Sequence, residues 1–342
     1  MKTLRLHKPF DVRYHEEPVP EIGPDEVLIQ VGSVGVCASD IHYYREGRIG
    51  DQVVESPLIL GHEFSGTVAK VGSQVTSLAE GARVAVEPGR HCKQCPACLA
   101  GYVNLCRSIV FFGTPPVDGS LREYLAWPAE LCVQVSDSTS LDEAAMVEPL
   151  GVGVYAVDLA EMAGGEEVAI LGAGAIGLSV LQAARVAGAG KLIVTDPIPE
   201  RRALARRLGA DVVLDPADST AAIMNETDGG AQVVFECAGM PDAVWQTADV
   251  AALRGTIVVV GIPEEDHYSF NASLCRRREV TVRFVRRSRN AAERSVEMLE
   301  RKLVDVAAYA THHFPFDRAE DAIRLAMDKT DGVVRAVIRV NE

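Results

Sequence analysis

"EEVAILGAGAIGLSVLQAARVAGAGKLIVTD", residues 166–196, is the stretch whose reading decides the fold. A short apolar run, Val168 to Leu171, leads into Gly172-x-Gly174-x-x-Gly177. An Ala- and Leu-rich stretch with helical spacing follows, from about Ala175 to Ala187. "KLIVTD" then reads as a second buried parallel strand ending in Asp196. Three glycines alone are a weak signal. Placed between a strand and a helix, with an acid about twenty residues further on, they form a dinucleotide-binding fingerprint. Gly172 permits the tight turn, Gly174 lets the backbone approach a pyrophosphate, and Gly177 lets helix and strand pack closely. The helix N-terminus offers free amides and a positive dipole end to the phosphates. Asp196 can accept hydrogen bonds from the adenosine ribose and would repel a 2′-phosphate, which favours NAD over NADP. Arg201 and Arg202 lie close by and weaken that preference. The competing reading is an α/β domain whose glycines serve packing alone.

More βα units follow. "ADVVLD", "AQVVFECAG" and "GTIVVVGI" read as buried strands. "ERRALARRLG" and "DAVWQTADVAALRG" read as helices, each closed by its final glycine. The alternation predicts a doubly wound parallel sheet, a Rossmann-type α/β domain over residues 151–280. The candidate cofactor-binding set is Gly172, Gly174, Ile176, Gly177, Asp196, Arg201, Val260, Gly261 and Ile262. Residues 1–150 differ. Short alternating runs such as "EVLIQVGSVGV", "SGTVAKVG" and "ARVAVEPG", punctuated by turn residues, predict a mostly-β domain. The tail, "FPFDRAEDAIRLAM" to "GVVRAVIRV", reads as a helix and a final strand.

Four cysteines, Cys92, Cys95, Cys98 and Cys106, fall in "HCKQCPACLAGYVNLC" at C-x2-C-x2-C-x7-C spacing. "MKTLRLHKPFDVRYHEE" holds no apolar stretch long enough for a signal peptide, so a reducing cytoplasmic compartment is expected. There, such a cluster reads as a closed tetrahedral zinc site rather than a disulfide framework. Buried or redox-active thiols without metal are the alternative. Cys132, Cys237 and Cys275 stand alone and read as small apolar packing residues.

A second set is spread out: Cys37, Ser39, Asp40 and His42 in "GVCASDIHYY", His62 and Glu63 in "LGHEFSG", and Glu148 in "MVEPLGVGVY". A thiolate, an imidazole and a carboxylate with one position open would make a catalytic metal site. Taken singly, each has a bland reading as core or solvated residue. The net charge of −14 argues against nucleic acid and anionic membranes as partners. Val168 to Ala184 carries no charge but falls short of a membrane span. "CRRREVTVRFVRRSRN" is strongly basic, yet Phe284 is its one aromatic, so it reads as a solvated strand face or subunit contact.

Together these pieces resemble the zinc-dependent medium-chain alcohol dehydrogenases. "GHEFSG" fits the family's G-H-E-x-x-G at Gly61, His62, Glu63 and Gly66, the four-cysteine lobe looks like its structural zinc loop, and "GAGAIG" fits its cofactor turn. "SVGVCASDIHYYREGRIGD", "FFGTPPVDGSLREY" and "VEPLGVGVYA" are similar to the sorbitol and xylitol (polyol) dehydrogenase branch. The resemblance implies a GroES-like catalytic domain, residues 1–150 with 281–342, into which the NAD domain is inserted. It implies oxidation of a secondary hydroxyl of a sugar alcohol to the ketose, one catalytic and one structural zinc per chain, NAD, and a homo-oligomer, tetramer or dimer. It implies that Cys37, His62 and either Glu63 or Glu148 hold the catalytic zinc, with Asp40 fixing the ring of His62. Ser39 matches the position that takes the hydroxyl proton and His42 the outer end of the relay. Tyr43, Phe112, Thr114, Glu148 and Arg287 match positions lining the substrate pocket. The branch commonly shows Phe-Arg-Tyr where this chain has Arg286-Arg287-Ser288, which leaves the pocket arginine open. Alternatives are the same fold acting on L-idonate, galactitol or L-threonine, and a non-catalytic nucleotide-binding relative.

Overall fold

The computed structural model describes residues 1–263 and 267–341. They divide into two compact units. One is Met1–Glu148 with Ala292–Lys302 and the chain from Val306 onward; the other is Pro149–Ala291 with Leu303–Asp305.

In the first unit, period-2 apolar patterning produces β1 (Glu26–Gly35), β2 (Glu63–Val71), β3 (Arg83–Val86), β4 (Tyr124–Pro128) and β5 (Cys132–Gln134). Val27, Ile29 and Val31 of β1 are fully buried, as alternation requires. β1 pairs antiparallel with β2 and β4, β2 with β3, and β3 with β5. The mostly-β expectation misses one helix that matters for function, α1 (Ala38–Glu46). Cys37 is its N-cap, Asp40 reaches back to the Cys37 amide, and Gly47 closes it in a left-handed conformation.

In the second unit, six strands form one parallel sheet: β6 (Glu167–Leu171), β7 (Lys191–Thr195), β8 (Val212–Leu214), β9 (Ala231–Glu236), β10 (Ala251–Val259) and β11 (Thr281–Phe284). The order is β8-β7-β6-β9-β10-β11, with the reversal between β6 and β9 that marks a doubly wound fold. α2 (Ala175–Val186) follows β6. Two expectations need correction. The helix read through to Gly255 ends at Val250, and "AALRG" opens β10, because Ala251 is drawn into pairing with Ala231. The return to the first unit expected at residue 281 comes later: β11 is the outer strand of the parallel sheet, and the first unit resumes at Ala292.

The chain then adds β12 (Ala310–Pro315) and β13 (Arg335–Arg339) to the first sheet. β13 lies antiparallel to β1 and parallel to β12, giving the order β5-β3-β2-β1-β13-β12. The basic run is partly spent internally. Arg278 donates to the carbonyls of Ala248, Asp249 and Ala251, and Arg283 to that of Leu159 and to Glu161. Among the described residues, no helix is long and apolar enough to cross a membrane.

Candidate active site

Three segments of the first unit bring Cys37, His62 and Glu63 together. β1 ends at Gly35 and delivers Cys37 to the start of α1; β2 begins at Glu63. One ligand atom from each of Cys37, His62 and Glu63 lies within 4.8 Å of the others. Gly61 holds the turn before His62 at φ 91°, a conformation glycine adopts without strain, and a Cβ there would meet Ser120 Oγ at 2.8 Å. His62 and Glu63 are buried.

Asp40 does not do what the resemblance implies. Its Oδ1 is 3.8 Å from His62 Nδ1, too far for a hydrogen bond. Instead Oδ2 accepts from the Cys37 amide at 2.9 Å and Oδ1 from the Gly61 amide at 3.0 Å. One buried carboxylate therefore ties together the backbones of both ligand-bearing turns.

The donor set fits a cation. A thiol, an imidazole and a carboxylate converge in a buried place. Among the described residues, His62 Nδ1 and both Glu63 carboxylate oxygens lack hydrogen-bond partners. Burial, reinforced by the Glu63 charge, pushes the Cys37 thiol up to about 12; Arg335 and a hydrogen bond from Ser39 oppose it. Desolvation pushes the Glu148 carboxyl well above its usual range; His62 counters this, while Glu63 and Cys37 add to it. A thiol, an imidazole and a carboxylate whose acceptor sites are left unfilled suit Zn²⁺. Glu148, in the first turn of the helix Val147–Ala160, feels the cluster without contributing a ligand atom to it. The geometry therefore groups Glu63, not Glu148, with Cys37 and His62.

Sequence reasoning missed Arg335. On β13, it is buried, its Nη2 is 3.0 Å from Glu63 Oε1, and its Nη1 donates to the Val36 carbonyl at 2.7 Å. Burial alone would lower its affinity for the proton, but the charges of Glu63, Cys37, Glu148 and Asp40 outweigh that. Removing one partner of a buried pair costs about 3–5 kcal/mol, because a charge is left alone. Arg335→Met is expected to destabilise the protein by about 3 kcal/mol in chemical denaturation, and Glu63→Gln in the same chain should restore most of the loss. No restoration would mean that the pair is not the source of the effect.

Ser39 and His42 sit three residues apart on α1, on one face, both half-buried. His42 Nδ1 is 3.7 Å from Glu46. Tyr43 and Phe112, expected to line the pocket, belong to the hydrophobic core at 2% exposure each. Phe112 packs on Trp127 with ring centroids 3.9 Å apart, so its ring is used for packing. Phe111 is the ring beside His62, with centroids 5.6 Å apart. Thr114 is half-buried. Arg287 belongs to the second unit and has φ 58°.

The four cysteines Cys92, Cys95, Cys98 and Cys106 also gather their sulfurs within 4.8 Å. The Cys92–Cys98 and Cys95–Cys98 sulfurs are 3.9 and 3.5 Å apart. A disulfide needs about 2.05 Å, whereas a tetrahedron of ~2.3 Å zinc–sulfur bonds sets about 3.8 Å. Amides of the loop point at the sulfurs: Cys92 N at Cys106 Sγ (3.3 Å) and Cys95 N at Cys92 Sγ (3.4 Å). Backbone hydrogen bonds, that of Cys98 first, pull the Cys95 thiol down to about 6, whereas burial and the neighbouring thiols push that of Cys98 up to about 12.

In the second unit the glycine turn has the geometry a pyrophosphate requires. Gly172 has φ 107°, and a Cβ on Gly177 would come within 1.9 Å of the Gly172 carbonyl oxygen. Gly174 caps α2 with no side chain over its amides, which leaves them for an anion. Asp196, at the end of β7, is buried; its carboxylate accepts from Ala173 N at 2.8 Å and Ile198 N at 2.9 Å. It thus braces the glycine turn and keeps lone pairs for a ribose hydroxyl. Arg202 is tied to the Asp196 carbonyl and to Asp215, while Arg201 Nη1 lies 3.9 Å from where a Gly174 Cβ would stand. Ile176 and Val260 are half-buried, and Ile262 is exposed.

Comparison with known proteins supplies the relatives. Residues 23–137 match the family described as alcohol dehydrogenase GroES-like domain, and residues 175–301 that described as zinc-binding dehydrogenase. The chain is 36% identical to a sorbitol dehydrogenase of Bacillus subtilis (strain 168), over 100% of this chain and 98% of that protein. Among solved structures it is similar to an oxidoreductase/dehydrogenase of unknown specificity from Escherichia coli (TM-score 0.95, 33% identity, 100% and 99% of the two chains). It is also similar to L-idonate 5-dehydrogenase from Escherichia coli (TM-score 0.93, 28% identity, 99% and 98%).

Proposed function

The chain belongs to the zinc-binding alcohol dehydrogenase family, and from that premise we propose that it oxidises a secondary hydroxyl of a sugar alcohol such as sorbitol or xylitol to the ketose, with NAD⁺ as acceptor. The observation that carries the reading is the convergence of half-buried Cys37 with buried His62 and Glu63 in a chain similar to a sorbitol dehydrogenase along its whole length. Bound there, zinc would make the substrate hydroxyl more acidic, and bound NAD⁺ would take up the hydride. The chain's own residues do the rest. Cys37, His62 and Glu63 hold the metal, Asp40 keeps the two ligand turns together, and Arg335 holds the Glu63 carboxylate in place. Ser39 takes the hydroxyl proton and His42 passes it to solvent along the same face of α1. Glu148 and Thr114 bind substrate hydroxyls. The Cys92, Cys95, Cys98 and Cys106 site holds a structural zinc, with no position open for chemistry.

Gly172, Gly174, Ile176 and Gly177 seat the pyrophosphate, Val260, Gly261 and Ile262 the far half of the cofactor, and Asp196 the adenosine ribose, with Arg201 at its edge. Asp196→Ala removes the ribose acceptor and orphans two amides, at about 1–3 kcal/mol. The KM for NAD⁺ should rise by about 10–100-fold, and the ratio of NADP⁺ to NAD⁺ efficiency should climb with it. Steady-state kinetics with both cofactors checks this; an unchanged ratio would remove Asp196 from the selector role.

The domains take their roles accordingly: the first unit is catalytic and the second binds NAD. We place the enzyme in the cytoplasm as a homo-oligomer, tetramer or dimer. Eight unpaired cysteines suit a reducing compartment, and β11 is a sheet edge with Phe284 60% exposed. A substrate panel at fixed NAD⁺ tests the activity: sorbitol, xylitol, galactitol, L-iditol, L-idonate and L-threonine. NADH from sorbitol or xylitol is expected. NADH from L-idonate or L-threonine alone would replace the polyol reading.

A further inference from the structure

Glu236, the last residue of β9, is fully buried and plays no part in the chemistry above. Its Oε1 accepts from the amides of Ala238 and Gly239, each at 2.8 Å. Its backbone carbonyl accepts from Val260 N at 2.8 Å and Gly261 N at 3.1 Å. Oε2 is buried and, among the described residues, has no hydrogen-bond partner; a Cβ on Gly261 would come within 2.6 Å of it. Burial pushes this carboxyl up to about 7, and the amides of Ala238, Gly239, Met240 and Gly261 draw it back. Cys237 and Tyr268 feel its charge. One residue thus gathers both loops: its carboxyl oxygen takes two amides of the loop after β9, and its backbone carbonyl takes two of the loop after β10.

Both loops leave the carboxyl ends of parallel strands, where open α/β sheets bind ligands. Asp196, at the end of β7, marks the adenosine side of the β6/β9 reversal. The loops after β9 and β10 stand on the other side, against the glycine turn: a Cβ on Gly172 would meet Ala238 N at 2.9 Å. We propose that Glu236 is a positioning residue for the nicotinamide half of the cofactor, its carboxyl group fixing the loop after β9 beside the loop after β10 that its backbone carbonyl holds. The role depends on acceptor geometry. Glutamine preserves an acceptor oxygen at the same reach, leucine removes it, and aspartate withdraws it by one methylene.

This inference rests on the cofactor reading above, and the test separates the two. Dissociation constants for NADH and for ADP are measured on the full-length zinc-loaded protein, NADH by its fluorescence and ADP by calorimetry. ADP reports the adenosine half alone. If the wild type binds no NADH, the cofactor reading itself fails. If it does, E236L should weaken NADH tenfold or more and ADP less than threefold, and E236Q should stay within threefold of wild type for both. E236D should weaken NADH about tenfold, and it serves if E236L does not fold. Faster amide exchange at residues 237–239 should accompany every weakened variant. The proposal is overturned if NADH affinity survives in both E236L and E236D, if ADP weakens as much as NADH, or if E236Q is as impaired as E236L.

Discussion

Cys37→Ala should cut kcat/KM for polyol oxidation by about 10³–10⁴-fold, with NADH affinity unchanged within about threefold. Lewis-acid activation of a hydroxyl is worth several kcal/mol, and each 1.36 kcal/mol is about tenfold in rate. Cys37 is one of three converging donors, and burial and the Glu63 charge push its thiol up to about 12, so a cation bound there would be what favours the thiolate. Alanine leaves an imidazole and a carboxylate, too few to keep the ion in an open site. The candidate cofactor residues stand in the second unit, so NADH binding is independent of the substitution. Metal analysis should fall from about two zinc per chain to about one. A variant retaining a tenth of wild-type turnover would remove Cys37 from the metal set.

Cys98→Ala should act in the opposite sense, on stability rather than rate. The four sulfurs lie within 4.8 Å of one another, and the lobe has little other core: Leu99, Tyr102 and Leu105 are all substantially exposed. Structural zinc supplies about 10–16 kcal/mol to isolated zinc-finger peptides; a lobe anchored at both ends keeps part of its order without it. A loss of about 3–5 kcal/mol is expected, which lowers Tm by about 10 °C for a unit of this size. Scanning calorimetry measures it, and chelator treatment of the wild type should move its Tm towards that of the variant. Turnover per zinc-loaded, folded molecule should stay within about threefold. A Tm within about 2 °C of wild type would mean that the lobe contributes nothing to stability.

The dinucleotide-binding half was legible because its strands are buried on both faces and read as continuous apolar runs. The same local reading ran the helix from Asp242 through to Gly255. Ala and Leu favour helix, and only pairing of Ala251 with Ala231, far back in the chain, turns that segment into strand. α1 had a signal that went unused: Cys37 and Asp40 stand at capping-box spacing, which fixes a helix start and shows where the aspartate points. The resemblance assigns Tyr43 and Phe112 to pocket positions, and local sequence does not show that both side chains also pack into the core of the β unit. Arg335 could not have been found. An arginine in an alternating strand reads as solvated, and its burial follows from β13 lying beside β1, almost the whole chain away.

That separation bears on how the protein acquires its two ions as it is made. The candidate closed site draws all four sulfurs from residues 92–106, so a nascent chain that has cleared the ribosome to that point already carries the whole set. The candidate catalytic donors come from residues 37–63, but the arginine that pairs with Glu63 stands far along the chain, at position 335. The four-sulfur cluster can therefore assemble from one local segment, whereas the charge balance of the other waits for two distant stretches of chain to meet.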